Sequence, residues 1–263
     1  MNNSLLDIRH LTMSYDGKVN VLKDINLTFN KNEFVVVIGP SGAGKSTFIR
    51  FINLLVKPTG GEIIFDGDDL LQANTNQLKA ARSNIGMIFQ DYNLIERSNV
   101  LKNVLNGQLG KISAFDSIFG RFTEEDKQRA VNLLEEVGLG EHIYKRADEL
   151  SGGQMQRVGI CRALMQSPKL LLADEPIASL DPATSRLIME YLFNLSNQYG
   201  VTSIVNLHQV AIAKEFATRI IGIKKGEVVF DDHPDYLTDD ITEEIYGDKI
   251  NESVFGTFAS QMA

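Results

Sequence analysis

The first third of the chain has the apolar spacing of β-strands. Four apolar residues alternate nearly regularly with polar ones: Leu22, Ile25, Leu27 and Phe29. An Asp16-Gly17 turn signal precedes them, and a second strand is predicted at residues 62–65, after Gly60-Gly61. Residues 34–38 are wholly apolar and rich in valine. That composition is typical of a strand buried on both faces.

The middle of the chain changes to a helical pattern. Thr123 precedes three acidic residues and an apolar stripe that ends at Gly138, which predicts a capped amphipathic helix. A second helix is expected from Ser151 to about Gln166, because Pro168 follows. We therefore expect a helical insertion over about residues 90–166.

Strands and helices alternate again in the last third. Strands are predicted at residues 170–173 and 202–206, a helix at 183–198, and a hairpin of 220–223 with 228–230 around Gly226. Strands that alternate with helices predict an α/β fold with a mainly parallel sheet. After a main domain spanning residues 1–235, an acidic C-terminal tail is expected at 236–263, with a short amphipathic helix at 239–246.

Composition and charge then narrow the class of protein. The 263 residues are 43% hydrophobic, carry a net charge of −8, and contain one cysteine, Cys161. No apolar run approaches the roughly 20 residues that cross a bilayer, and no secretory signal is visible, so a cytosolic protein is expected. Nine acidic residues and one lysine fall at positions 231–263, which leaves the rest of the chain balanced. A neutral body argues against nucleic acid as a partner.

A glycine-rich loop follows the apolar segment 34–38. We call residues 39–47 the phosphate loop: Gly39, Pro40, Ser41, Gly42, Ala43, Gly44, Lys45, Ser46 and Thr47. They match the GxxxxGK[ST] pattern between a strand and a helix, in which backbone N–H groups surround an anion at the helix N-terminus. Lys45 is expected to reach the β- and γ-phosphates, and the Ser46 hydroxyl to ligate magnesium. The motif predicts that the chain binds a nucleoside triphosphate together with Mg²⁺.

Two carboxylates end the predicted strand at 170–173. In proteins with a phosphate loop, Asp174 would hold the magnesium, usually through water. Glu175 is placed to orient or deprotonate an attacking water, so it is the expected catalytic residue.

The segment Leu150-Ser-Gly-Gly-Gln154, here called the signature segment, indicates a family. With the phosphate loop and the Asp-Glu strand end, the chain resembles the ATP-binding subunits of ABC transporters from about Leu5 to Phe230. The resemblance implies an α/β P-loop NTPase core of ABC type with an N-terminal antiparallel β subdomain and an inserted α-helical subdomain. It also implies an ATPase that powers transmembrane transport.

The same resemblance assigns four further residues. Tyr15 matches the aromatic residue that stacks on adenine, and Gln90 matches the glutamine that touches magnesium and the attacking water. Asp181 matches the loop that crosses the dimer interface, and His208 matches the histidine that contacts the γ-phosphate. The expected catalytic set is therefore Glu175, His208, Gln90 and Lys45, and the expected metal ligands are Ser46, Gln90 and Asp174.

The family arrangement also implies partners. In the family, the signature segment closes on ATP held by a second subunit, so Ser151, Gly152, Gly153 and Gln154 are expected to bind ATP across a homodimer. Integral membrane permease subunits, and indirectly an extracellular substrate-binding protein, are the other implied partners. The chain would then lie peripherally on the cytoplasmic face of the cell membrane.

The cargo is indicated only by a closer resemblance. Residues 103–110, 119–122, 144–147 and 206–210 resemble the ATPase of phosphonate importers, a group that extends to phosphite and related oxyanions. The alternatives are a soluble ABC-type ATPase of DNA maintenance or cluster assembly, and a small-molecule P-loop kinase. Repair proteins usually carry coiled coils or zinc modules, and a kinase has no use for the signature segment.

Overall fold

The computed structural model describes residues 3–14 and 20–247. These residues fall into two compact units. The first contains the described residues up to Leu78 and from Thr202 onward, and the second contains Lys79–Val201.

Each strand and helix predicted above is present in the described residues, together with further elements. The strands are β1 (Ser4–Ser14), β2 (Asn20–Asn30), β3 (Phe34–Ile38), β4 (Gly60–Phe65), β5 (Asp68–Asp69), β6 (Ile85–Ile88), β7 (Leu170–Asp174), β8 (Thr202–Asn206), β9 (Arg219–Lys224) and β10 (Glu227–Asp232). The helices are α1 (Lys45–Ile52), α2 (Thr75–Arg82), α3 (Val100–Leu105), α4 (Ala114–Phe119), α5 (Glu124–Glu136), α6 (Gly152–Met165), α7 (Pro182–Tyr199), α8 (Val210–Phe216) and α9 (Asp239–Tyr246).

An antiparallel sheet in the order β2-β1-β4-β5 forms one part of the first unit. The four alternating apolar side chains of β2 are buried, which confirms the spacing argument. β4 begins earlier than expected, because Gly60 and Glu62 pair with Thr12 and Arg9 of β1. The Gly60-Gly61 pair therefore belongs to the strand and does not precede it. The Asp16-Gly17 turn lies outside the described residues.

The other sheet strands of the first unit are β10, β9, β3 and β8 in that order. β3 is parallel to both β8 and β9, and β9 forms an antiparallel hairpin with β10. All five residues of β3 are buried, as its apolar composition predicts. α1 follows β3 and buries Phe48, Ile49, Phe51 and Ile52. The phosphate loop thus joins a fully buried strand to a helix anchored in the core.

The second unit combines a parallel strand pair with the helical insertion. β6 pairs with β7 in the register Ile88↔Ala173, so the carboxyl ends of the two strands meet at one edge. α3, α5 and α6 pack against one another beside them. Thr123 and Ser151 cap α5 and α6 with reciprocal side-chain and backbone hydrogen bonds, which confirms both predicted starts.

α9 closes the described part of the chain in the first unit. Its bounds match the predicted amphipathic helix, and Thr242, Ile245 and Tyr246 on one face are buried. The helix packs against β9. Among residues 3–14 and 20–247, no helix combines the length and the apolar character that crossing a bilayer requires.

Candidate active site

The phosphate loop has a backbone that glycine alone adopts readily. Gly39, Gly42 and Gly44 have φ values of 147°, 80° and 106°. A Cβ on Gly39 would lie 2.1 Å from the Ile223 carbonyl oxygen of β9. The loop therefore passes too close to β9 for any side chain at that position.

Lys45 lies inside the loop that precedes it. Its side chain is only 4% exposed, and Nζ donates to the carbonyl oxygens of Gly39 (2.7 Å) and Pro40 (3.3 Å). The neighbouring Ser46 hydroxyl accepts a 3.3 Å hydrogen bond from the Asn206 side-chain amide at the end of β8. A buried ammonium and a helix N-terminus together make this loop a site for a polyanion.

His208 and Tyr246 complete the cluster in the first unit. His208 Nδ1 lies 3.4 Å from Lys45 Nζ. The Tyr246 hydroxyl accepts from the Gly39 N–H (3.2 Å) and donates to the His208 carbonyl (3.2 Å). Burial raises the pKa of Tyr246 to about 12, so the hydroxyl keeps its proton at neutral pH. Tyr246 was not predicted as a site residue, because nothing in the local sequence at 239–246 indicates a contact with residue 39.

The second unit holds the expected carboxylates. Asp174 ends β7 and is 3% exposed, and Gln90 lies two residues beyond β6, exposed at the same edge of the strand pair. Glu175 is one of eleven non-glycine residues with positive φ in the described part of the chain, with φ of 50°.

The signature segment leads directly into α6. Ser151 caps the helix, with its hydroxyl 3.3 Å from the Gln154 N–H, and the Gln154 side chain accepts from the Ser151 N–H at 2.9 Å. A Cβ on Gly152 would lie 2.8 Å from the Tyr92 hydroxyl, and one on Gly153 would lie 2.5 Å from Thr184 Cγ2. The glycines allow these side chains to approach the start of α6.

Asp181 caps the neighbouring helix α7. Its carboxylate accepts a 3.0 Å hydrogen bond from the Thr184 N–H. Hydrogen bonds from Thr184 hold the pKa of this carboxyl below its ordinary value. Asp181 therefore stays ionised and fixes the first turn of α7, whose Thr184 lies against Gly153.

A clamp on the segment after Gln90 was not predicted. Tyr92 and Asn93 both have left-handed backbones, with φ of 58° and 49°. The Arg162 guanidinium of α6 donates to both of their carbonyl oxygens, at 2.8 Å for Tyr92. Burial lowers the pKa of Arg162 from its ordinary value. An arginine in the middle of a helix is common for many reasons, so nothing in the sequence indicated that Arg162 contacts this segment.

The predicted site residues thus form two groups. The phosphate loop and His208 lie together in the first unit, whereas Gln90, Asp174, Glu175, the signature segment and Asp181 belong to the second. Tyr15, the predicted adenine-stacking residue, lies outside the described residues. Cys161 is buried and its thiol donates to the Leu133 carbonyl, so it is part of the core packing.

Comparison with known proteins places these features in one family. The model of the ABC transporter family matches residues 22–178. A phosphonates import ATP-binding protein of Oceanobacillus iheyensis is 52% identical, covering 93% of this chain and 96% of its own. Another from Halalkalibacterium halodurans is 53% identical, covering 88% and 94%.

A solved structure agrees with the sequence comparisons. An ATP-binding cassette in a dimeric post-hydrolysis state, bound to ADP and Pi, has a TM-score of 0.75 and 35% identity. The match covers 87% of this chain and 98% of that cassette. The phosphate loop, the signature segment and the fold therefore identify this chain as a member of the ABC transporter family, in the group that contains the phosphonates import ATP-binding proteins.

Proposed function

We propose that this chain is the ATP-hydrolysing subunit of an ABC importer for phosphonates or a related phosphorus oxyanion. The observation that carries the proposal is the 52% identity, over nearly full length, to a relative named for phosphonate import. The alternative of a soluble ATPase in DNA maintenance or cluster assembly is not favoured, because the relatives are named as import proteins. Residues 1–235 would form one ATP-binding domain, with the helical insertion at about 90–166, and residues 236–263 would form an acidic C-terminal tail.

ATP would bind through the phosphate loop. Loop N–H groups and Lys45 would hold the β- and γ-phosphates, and Tyr15 would stack on adenine. The buried position of Lys45, with its Nζ on two loop carbonyls, supports this role because the ammonium already lies where phosphate oxygens would enter.

The donor set fits Mg²⁺. A hydroxyl, a carboxylate and an amide oxygen, supplied by Ser46, Asp174 and Gln90, are the oxygen ligands that magnesium prefers. Bound Mg²⁺ would neutralise phosphate charge. The meeting of the carboxyl ends of β6 and β7 supports the pairing of Gln90 with Asp174.

Hydrolysis would proceed by in-line attack of water on the γ-phosphorus. A bond forms from the water oxygen to phosphorus, the bond to the bridging oxygen of the β-phosphate breaks, and ADP and inorganic phosphate result. Glu175 would orient the water or accept its proton, and His208 would contact the γ-phosphate. The position of Glu175 directly after Asp174, at the carboxyl end of β7, supports its assignment.

Two copies of the chain would form the complete catalytic assembly. Each chain has one phosphate loop and one signature segment, so two ATP sites need a two-fold dimer in which Ser151, Gly152, Gly153 and Gln154 face the partner's nucleotide. Asp181 would couple the two sites. The dimeric state of a related cassette bound to ADP and Pi supports this arrangement.

The other proposed partners are integral membrane permease subunits and, indirectly, an extracellular substrate-binding protein. The chain would lie on the cytoplasmic face of the membrane, and nucleic acid would not be a partner. A tagged Glu175→Gln chain, incubated with MgATP and detergent-solubilised membranes of the source organism, tests this directly. The same variant without nucleotide serves as the control.

Nucleotide-dependent recovery of a multi-span membrane protein, identified by mass spectrometry, is the expected result. Its neighbouring binding protein would then be titrated with phosphonates, phosphite and phosphate. Recovery of soluble proteins or nucleic acid alone would contradict the transport function.

A further inference from the structure

Four residues of the first unit form a closed ring of hydrogen bonds. Tyr246 accepts from the Gly39 N–H and donates to the His208 carbonyl, both at 3.2 Å. The His208 ring faces Lys45 Nζ at 3.4 Å, and Lys45 donates back to the Gly39 carbonyl at 2.7 Å. Three members belong to the phosphate loop or to the predicted γ-phosphate contact, whereas Tyr246 comes from the last described helix.

α9 is anchored so that this hydroxyl has a defined position. Thr238 caps the helix, and Lys224 of β9 donates to the Glu244 carbonyl near its end. Ile245 occupies space that exists because residue 222 is glycine: a Cβ there would lie 2.7 Å from Ile245 Cδ1. Tyr246 is itself only 5% exposed. The packing fixes the helix end independently of the loop.

The loop is not tightly packed on the side that faces α9. A cavity of about 410 Å³ is lined there by Pro40–Ala43 of the loop, by Lys224 and Lys225, and by 245–247 at the end of α9. Since this side offers open space, the Tyr246 hydroxyl is a directional link from α9 to the start of the loop. A phenylalanine would fill the same volume and lack that link.

We propose that Tyr246 is a positioning residue that holds the phosphate loop and His208 in a fixed mutual geometry for turnover. The proposal rests on the proposed ATPase function. Tyr246 touches backbone atoms alone in this network, so it acts through Gly39 and His208. Its loss should therefore affect the catalysed step more than nucleotide binding, which the loop N–H groups and Lys45 would retain.

The test compares the full-length chain with Tyr246→Phe and with the control Tyr236→Phe, whose side chain is 64% exposed in the same unit. Steady-state ATP hydrolysis gives kcat and KM, and amide hydrogen exchange of the peptide covering Gly39 reports on the link itself. For Tyr246→Phe we expect kcat to fall about 3- to 10-fold, the effect of one lost hydrogen bond, with KM within about twofold. Exchange at Gly39 should accelerate, and Tyr236→Phe should match the unmodified chain.

Each measurement can overturn the proposal separately. If amide exchange at Gly39 were unchanged in Tyr246→Phe, Tyr246 would not hold the loop. If exchange accelerated while kcat stayed the same, the hydrogen bond would have no role in turnover. A chain that failed to hydrolyse ATP in any form would instead refute the proposed function. The exchange comparison would then still decide whether Tyr246 holds the loop.

Discussion

Two glycines of the phosphate loop offer a matched pair of alanine substitutions. Gly39 and Gly42 both have positive φ, at 147° and 80°. A Cβ on Gly39 would lie 2.1 Å from the Ile223 carbonyl oxygen, whereas one on Gly42 would have no atom within 4 Å. Gly42→Ala thus adds backbone strain alone, and Gly39→Ala adds strain together with a collision against the backbone of β9.

The two costs differ enough to measure. Positive φ for alanine costs about 1–2 kcal/mol at either position. At residue 39 the added Cβ would lie 2.1 Å from the Ile223 carbonyl oxygen, and real Cβ atoms essentially never approach another atom closer than 3.0 Å. Either β9 or the loop therefore has to move. Overpacking of that kind costs about 1–3 kcal/mol more. We therefore expect about 2–5 kcal/mol of destabilisation for Gly39→Ala and about 1–2 kcal/mol for Gly42→Ala.

Thermal and urea unfolding of both variants would check this. At about 2–3 °C per kcal/mol for a chain of this size, Gly39→Ala should lower Tm by roughly 4–15 °C and Gly42→Ala by roughly 2–6 °C. Equal losses in the two variants would refute the collision argument, and so would a Gly39→Ala chain as stable as the parent.

Three further outcomes follow from single side chains. Glu175→Gln should retain ATP binding, lose turnover and accumulate as a dimer with MgATP in size-exclusion chromatography; hydrolysis at the parent rate would remove Glu175 from the mechanism. Burial raises the pKa of the Cys161 thiol, so thiol reagents at pH 8 should label the chain only on unfolding, and rapid labelling of native protein would contradict this. Hydrogen bonds from Thr184 hold the pKa of Asp181 in the folded chain below its ordinary value of 3.8. The ionised carboxylate therefore stabilises the folded chain fully above pH 3.8, and this stabilisation is lost as the pH falls through the pKa of the folded chain. At pH 7 the urea midpoint of Asp181→Ala should therefore be lower than that of the parent, and the two midpoints should approach each other on acidification. Asp181→Asn keeps a capping side chain, so its midpoint should lie between them. A difference in midpoint that did not change with pH would rule out this explanation.

Strongly patterned elements were predictable from the sequence. β3 and α9 have the predicted bounds, and α6 and α7 differ from theirs by a residue or so, because apolar runs and capping residues act locally. α2 was not predicted, since it has no buried residue and therefore no apolar stripe to detect.

The local structure of the contiguous motifs was predictable from the sequence. The phosphate loop and the helix it enters have the expected form, and Ser151 caps α6 as expected. Contacts between distant residues have no local signal, which is why Tyr246 and the Arg162 clamp on Tyr92 were missed. The left-handed backbone of Glu175 is likewise set by its surroundings, because glutamate has no preference for it.

The link from Tyr246 to Gly39 joins residues 207 positions apart. Translation proceeds from the N-terminus, so a ribosome makes the phosphate loop long before it makes the helix that supports the loop. A nascent or prematurely terminated chain that ends before α9 would carry every nucleotide-binding motif and still lack this support. The phosphate loop therefore has its full support only in a chain that has been synthesised through α9. We expect a truncated product to hydrolyse ATP more slowly than the finished chain.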